Sequence, residues 1–201
     1  PGPLPEFRGA DPVFQQIKNR EKQAGVTIHH ITDQVDGGPV LIREMVKIFP
    51  EDTYGILDAR LGELAATLTG TVIRMIALGI EPPSRPQDES RAGYFERQTQ
   101  ADIVIDWEEM DAASIIALIN ACNPWNKGAV TSINHKIIRF LEASEDVSAD
   151  NKNAPPGTIV AIDENYIDIS VKSGGVLKVS YLYMDEGYLR PAALLRWGVQ
   201  P

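Results

Sequence analysis

Residues 25–41, GVTIHHITDQVDGGPVL, pass from a strand through a turn into a second strand, and their reading decides the fold of everything around them. Val26-Thr27-Ile28-His29-His30-Ile31 alternates with a period of two: Val26, Ile28 and His30 fall on one face, Thr27, His29 and Ile31 on the other. TDQVDGG is turn material, and Pro39 opens a second apolar run, PVLIREMVKI, which predicts the next strand. Upstream, Asp11-Pro12 pairs an N-cap aspartate with proline at the first helical position, so a helix is expected from there to near Gly25. Downstream, residues 51–79 carry apolar side chains at helical spacing behind Asp52 and Thr53, and predict a long helix. Two strands and two helices are too few to cover both faces of an open sheet, so this α/β part reads as incomplete.

The composition then changes. Residues 81–100, EPPSRPQDESRAGYFERQTQ, hold three prolines and a dense polar run, which predict a linker or an extended crossing segment. Beyond it, DAASIIALINAC predicts a short helix. The runs AVTSIN, KIIRFLEASE, GTIVAID, YIDISVK and VLKVSYLYM predict strands, and RPAALLRWG a closing helix capped by Gly198. Short strands at regular spacing point to a small antiparallel β-barrel. The expected layout is α/β over residues 1–80, a linker over 81–100 and a barrel over 101–201.

A formal charge of −9, with 14 acidic and 8 basic side chains in residues 101–201, argues against a nucleic-acid reader. One cysteine, Cys122, excludes an internal disulfide framework, fits a reducing compartment and reads as a small core residue. No apolar run has the length of a membrane helix, and no signal peptide is visible, so the expectation is cytoplasmic with no membrane partner. No metal is expected: adjacent histidines on a strand point to opposite faces, and no Cys-x-x-Cys or His-Glu-x-x-His is present. No serine or cysteine occupies an elbow of the kind nucleophilic triads use.

Asp36 is the candidate for chemistry. It stands where a strand gives way to a turn, followed by Gly37 and Gly38, which let a ligand approach the backbone. A carboxylate there can orient and support a histidine during proton transfer. It can equally close a turn, as Asp-Gly pairs do.

Leu4-Pro5, Arg8-Gly9, Gly25-Val26-Thr27 and Val35-Asp36-Gly37-Gly38 together resemble the second half of the folate-dependent formyltransferase domain, whose methionyl-tRNA and sugar N-formyltransferase types are the nearest in layout. Asp106-Trp107 and Asn123-Pro124-Trp125 with Gly128-Ala129 resemble the start of that family's C-terminal domain. The resemblance implies a partial Rossmann-like formyltransferase domain followed by a small OB-like antiparallel barrel. It implies transfer of a formyl group from 10-formyltetrahydrofolate, without a metal, to an acceptor amine. That acceptor is a methionyl-tRNA, an amino sugar nucleotide or a carrier-bound amino acid. The family uses an asparagine, a histidine and an aspartate; Asp36 matches the aspartate. The other two would fall immediately before Pro1, with the histidine its direct neighbour, so residues 1–201 alone are expected to be inactive. His30, Ile31, Thr32, Asp33, Gln34 and Val35 match the loop whose backbone lines the pterin pocket. His29 and His30 are then strand residues beside the pocket; Arg8 reads as a loop arginine, solvated or bonded to neighbouring carbonyls, and Trp107 and Trp125 as anchors of the domain junction. A formyltetrahydrofolate hydrolase, or a catalytically incomplete fragment acting as a binding module, are the alternative readings.

Overall fold

The computed structural model describes residues 1–147 and 154–196, arranged as two compact units, Pro1–Gln98 and Thr99–Pro201. Gly198, the expected cap of the last helix, lies outside the described residues.

In the first unit, helix α1 spans Pro12–Lys18, with Asp11 at its N-cap accepting from the Phe14 amide. It ends well before Gly25, the expected limit. The chain turns left-handed at Arg20, and strand β2 already begins at Gln23. β2 (Gln23–His29) pairs antiparallel with β3 (Val40–Lys47), Thr27 lying opposite Arg43. Helix α2 (Tyr54–Ala77), capped by Thr53, lays Leu57, Leu61, Leu68 and Val72 into the core with Phe14, Ile17, Ala24 and Val26.

Two short strands were not foreseen: β1 (Arg8–Gly9) pairs in parallel with β4 (Tyr94–Phe95). This pairing lays the proline-rich run back along the unit, where Arg85 also exchanges backbone hydrogen bonds with Val40. The Gly-Val-Thr triplet anchors the first residues of the chain. The Gly2 amide donates to the Gly25 carbonyl, while Thr27 Oγ1 accepts from the Leu4 amide and donates to the Gly2 carbonyl. A side chain at Gly25 would meet Met45, the Glu44 carbonyl and Pro3, so β2 accepts this close packing only with glycine there.

The second unit is antiparallel β with one main helix, α3 (Ala112–Ala121), which packs on β5 (Ala129–Ile133) and β6 (Lys136–Asp146). β7 (Ile159–Ile162), β8 (Ile167–Ser170) and β9 (Val176–Met184) complete a sheet of order β5-β6-β9-β8-β7, and β10 (Gly187–Leu189) pairs with β9. Ile115, Leu118, Phe140, Ile167, Leu177 and Leu182 fill its core. Irregular register in β6 around Glu142 and in β7 before Ala161 bends the sheet. Among the described residues β5 and β7 do not pair, so the sheet is an open path; closure into a barrel is not part of it. Helix α4 (Ala192–Arg196) follows.

Trp107 and Trp125 bond within this unit. Trp107 Nε1 donates to Thr131 Oγ1 and its ring meets Phe140 edge-on, while Trp125 Nε1 donates to the Ala121 carbonyl. Gly128, at φ 98°, leaves no room for a Cβ, which would fall 1.9 Å from the Phe140 carbonyl oxygen. Cys122 is a buried free thiol.

Candidate active site

The loop between β2 and β3 is closed by the His30 amide donating to the Pro39 carbonyl. Within it the Gln34 carbonyl accepts twice, from Thr32 Oγ1 at 3.1 Å and from the Gly37 amide at 3.2 Å. That turn delivers Asp36 in the left-handed region, φ 54°. Two residues later the backbone folds so tightly that a Cβ on Gly38 would lie 1.8 Å from the His30 carbonyl oxygen. At Gly37 a Cβ would meet only the flexible Gln34 side chain. The paired glycines thus differ: Gly38 is required by space, Gly37 is not.

Asp36 Oδ2 accepts from the Gly9 amide at 2.8 Å. Strand alternation explains the aim: the Arg8 and Ala10 amides turn toward Gly93 and Phe95, so the Gly9 amide between them points the other way. Gly9, at φ 98°, passes so close to Phe95 that a Cβ would sit 2.1 Å from its carbonyl oxygen. The other oxygen, Oδ1, stands 3.8 Å from His29 Nε2. His29 Nδ1 lies 2.8 Å from the His30 carbonyl, which only accepts, so Nδ1 carries the hydrogen and Nε2 is the nitrogen turned on Asp36.

His30, Ile31, Thr32, Asp33, Gln34 and Val35 are all exposed, Ile31 to 96%. Among the described residues, none of the five amides from Ile31 to Val35 has a protein acceptor. A cleft of about 490 Å3 in this unit is lined by Leu4, Ile42, Arg43, Arg85 and Gln87, among others. The exposed loop does not contribute to its wall.

Arg8 is not the solvated arginine expected. It is 4% exposed and forks onto Glu89, Nη1 to Oε2 at 2.9 Å and Nη2 to Oε1 at 2.7 Å. The Glu89 hydrogen bond raises the guanidinium pKa against the opposing effect of burial, and the same bond lowers that of Glu89. Arg8 also donates to Gln87 Oε1, from Nη2 at 2.8 Å and Nε at 3.3 Å. Gln87 Nε2 in turn donates to the Asp36 and Gly38 carbonyls, each at 2.7 Å. The structure therefore gathers Asp36, His29, Gly9, Arg8 and Gln87. Sequence reasoning passed over Gln87 and Glu89, which lie in the run taken as linker; nothing in their local pattern marks them. Among the described residues no group of three or more histidine, cysteine or acidic side chains could hold a metal. No helix among them is long and apolar enough to cross a membrane.

The chain belongs to the formyl transferase family: residues 1–73 match its formyl transferase domain and residues 97–190 its C-terminal domain. A methionyl-tRNA formyltransferase from Dictyoglomus thermophilum is 32% identical over 196 residues, which cover 92% of this chain and 62% of that protein. The chain thus spans about three fifths of the length of such relatives. HypX from Aquifex aeolicus, crystallised with tetrahydrofolic acid, shares the fold at a TM-score of 0.72 and 20% identity, over 97% of this chain and 34% of that one. An N-formyltransferase from Helicobacter canadensis, crystallised with folinic acid and dTDP-3-aminofucose, does so at 0.70 and 20% identity, over 89% of this chain and 63% of that one.

Proposed function

We propose that this chain carries the aspartate and the pterin-facing loop of an enzyme that moves a formyl group from 10-formyltetrahydrofolate to an acceptor amine. The observation that supports it most is the Asp36 carboxylate, held on one oxygen by the Gly9 amide with the other turned toward an imidazole nitrogen. The folate supplies the activated formyl group. In the family's chemistry a histidine takes the proton the amine sheds on attack, and Asp36 would orient that histidine and stabilise its charge as it forms. The open amides of Ile31–Val35 offer donors to the edge of a flat pterin, and the exposed Ile31 and Val35 side chains offer apolar cover. In the same reading residues 1–80 are the C-terminal part of a Rossmann-like domain, 81–100 the connection, and 101–201 the family's C-terminal domain, built on the open antiparallel sheet, in a cytoplasmic setting that suits the single thiol.

The acceptor is a primary amine on methionyl-tRNA or on an amino sugar nucleotide. Formyl transfer is measured in the protein as its own gene encodes it, with each amine in turn. Asp36→Asn lowers kcat by about 10²–10⁴-fold, the range of a lost acid–base partner. Formate release without any amine would make the protein a hydrolase instead, and an Asp36→Asn protein of undiminished rate would remove Asp36 from the chemistry.

A further inference from the structure

We infer that Gln87 is the positioning residue for Asp36: it pins the backbone on both sides of Gly37 and hands that position on to the buried Arg8. The inference rests on the reading of Asp36 as part of the site.

Every polar group of the Gln87 amide is committed. Arginine only donates, so the oxygen of the Gln87 side chain must face Arg8, and the NH2 must face the two carbonyls. The two carbonyls belong to Asp36 and Gly38, and each bond is 2.7 Å. Arg8 in turn is fixed by its fork onto Glu89. This matters because Asp36 occupies a left-handed conformation, φ 54°, that a non-glycine residue keeps only where its surroundings hold it. The loop itself holds the Asp36–Gly37 peptide unit at its amide, through the Gln34 carbonyl. The two hydrogens of Gln87 hold the carbonyl of that same unit and the next carbonyl but one, at Gly38. The carboxylate is then delivered to the Gly9 amide, itself the neighbour of Arg8, so one residue pair sets both ends of that hydrogen bond. Arg8 and Gln87 lie 79 residues apart in sequence.

Glutamate at this position would keep the pairing with Arg8 but turn an oxygen on the two carbonyls. Methionine, of nearly the same shape, would withdraw both donors and the acceptor.

The test uses Gln87→Met and Gln87→Glu in the protein as its own gene encodes it, with two readouts. The first is the Gly9 amide in 1H–15N NMR, read by its hydrogen-exchange protection; it needs no substrate. In the parent protein Asp36 Oδ2 protects this amide, and in both variants that Gly9 response is expected to shrink while amides of α2 stay in place. The second is steady-state formyl transfer, where kcat falls about tenfold to a hundredfold, the cost of a misplaced catalytic group, with the KM for folate within about twofold. A Gly9 response unchanged in either folded variant overturns the inference. If Gln87→Met does not fold, Gln87→Glu decides, since it retains the Arg8 contact. If the parent protein transfers no formyl group, the proposed function fails, and the Gly9 response still decides the positioning role.

Discussion

Gly38 and Gly37 look interchangeable as letters and are not so as residues. A methyl group on Gly38 would fall 1.8 Å from the His30 carbonyl oxygen, and both partners are backbone at the closed neck of the loop. Neither can swing aside without breaking the bond from His30 to Pro39. Gly38→Ala is therefore expected to cost about 1–3 kcal/mol, as overpacking does. Gly37→Ala meets only the movable Gln34 side chain and is expected to stay within about 0.5 kcal/mol of the parent. Urea unfolding of the two variants at constant m-value measures the contrast, and equal midpoints would refute it. Asp36 was legible as a candidate because a carboxylate before two glycines at a strand end is a local pattern. Its hold on the Gly9 amide was not, since the partners are 27 residues apart.

Elements with strong periodicity were read from the sequence nearly to their ends: α2 behind Thr53, β3 behind Pro39, and the five strands that follow α3. Those that escaped notice, β1, β4 and β10, have two or three residues each and no room for a period. Their pairing is set by distant partners, as is the burial of Arg8. Contacts between element ends carry chemistry of their own. Tyr54 opens α2 beside Asp11, which caps α1 and accepts from Gln98 Nε2 at 2.6 Å. Burial, then the charge and hydrogen bond of Asp11, raise the Tyr54 phenol from its ordinary 10.0 to about 12. The folded state thus holds this proton more tightly than the unfolded chain. Its contribution to stability is complete below 10.0 and is lost as pH rises toward 12. Tyr54→Phe removes the titration, so its stability declines less steeply than the parent's across that window. Denaturant midpoints taken through the window check this, and parallel declines would mean that the phenol does not titrate there.

For the molecule as a whole, the long-range charge bears on the acceptor. The net charge of −9 repels polyphosphates, and residues 101–201 hold 14 acidic against 8 basic side chains. Three of the cations in the second unit are engaged locally. Lys127 Nζ bonds the Tyr183 hydroxyl at 2.9 Å, Arg190 stacks over Tyr181, and Lys178 lies between Asp146 and Asp168. Each phosphate contact releases about 0.9 counterion, so an interface of 6–10 contacts gives a log–log salt slope of roughly −5 to −9. With cations so occupied, the expected slope for tRNA binding to this chain is about −2 or shallower, by the same counting of phosphate contacts. Affinity at physiological salt should then be hard to distinguish from that for unrelated RNA. Filter binding of initiator tRNA across a salt series measures it. A steep slope with selectivity for the initiator would place methionyl-tRNA ahead of the amino sugar nucleotide as acceptor. A shallow one would leave recognition to the few groups around Asp36, where a small nucleotide-linked amine needs only one or two charges to be held.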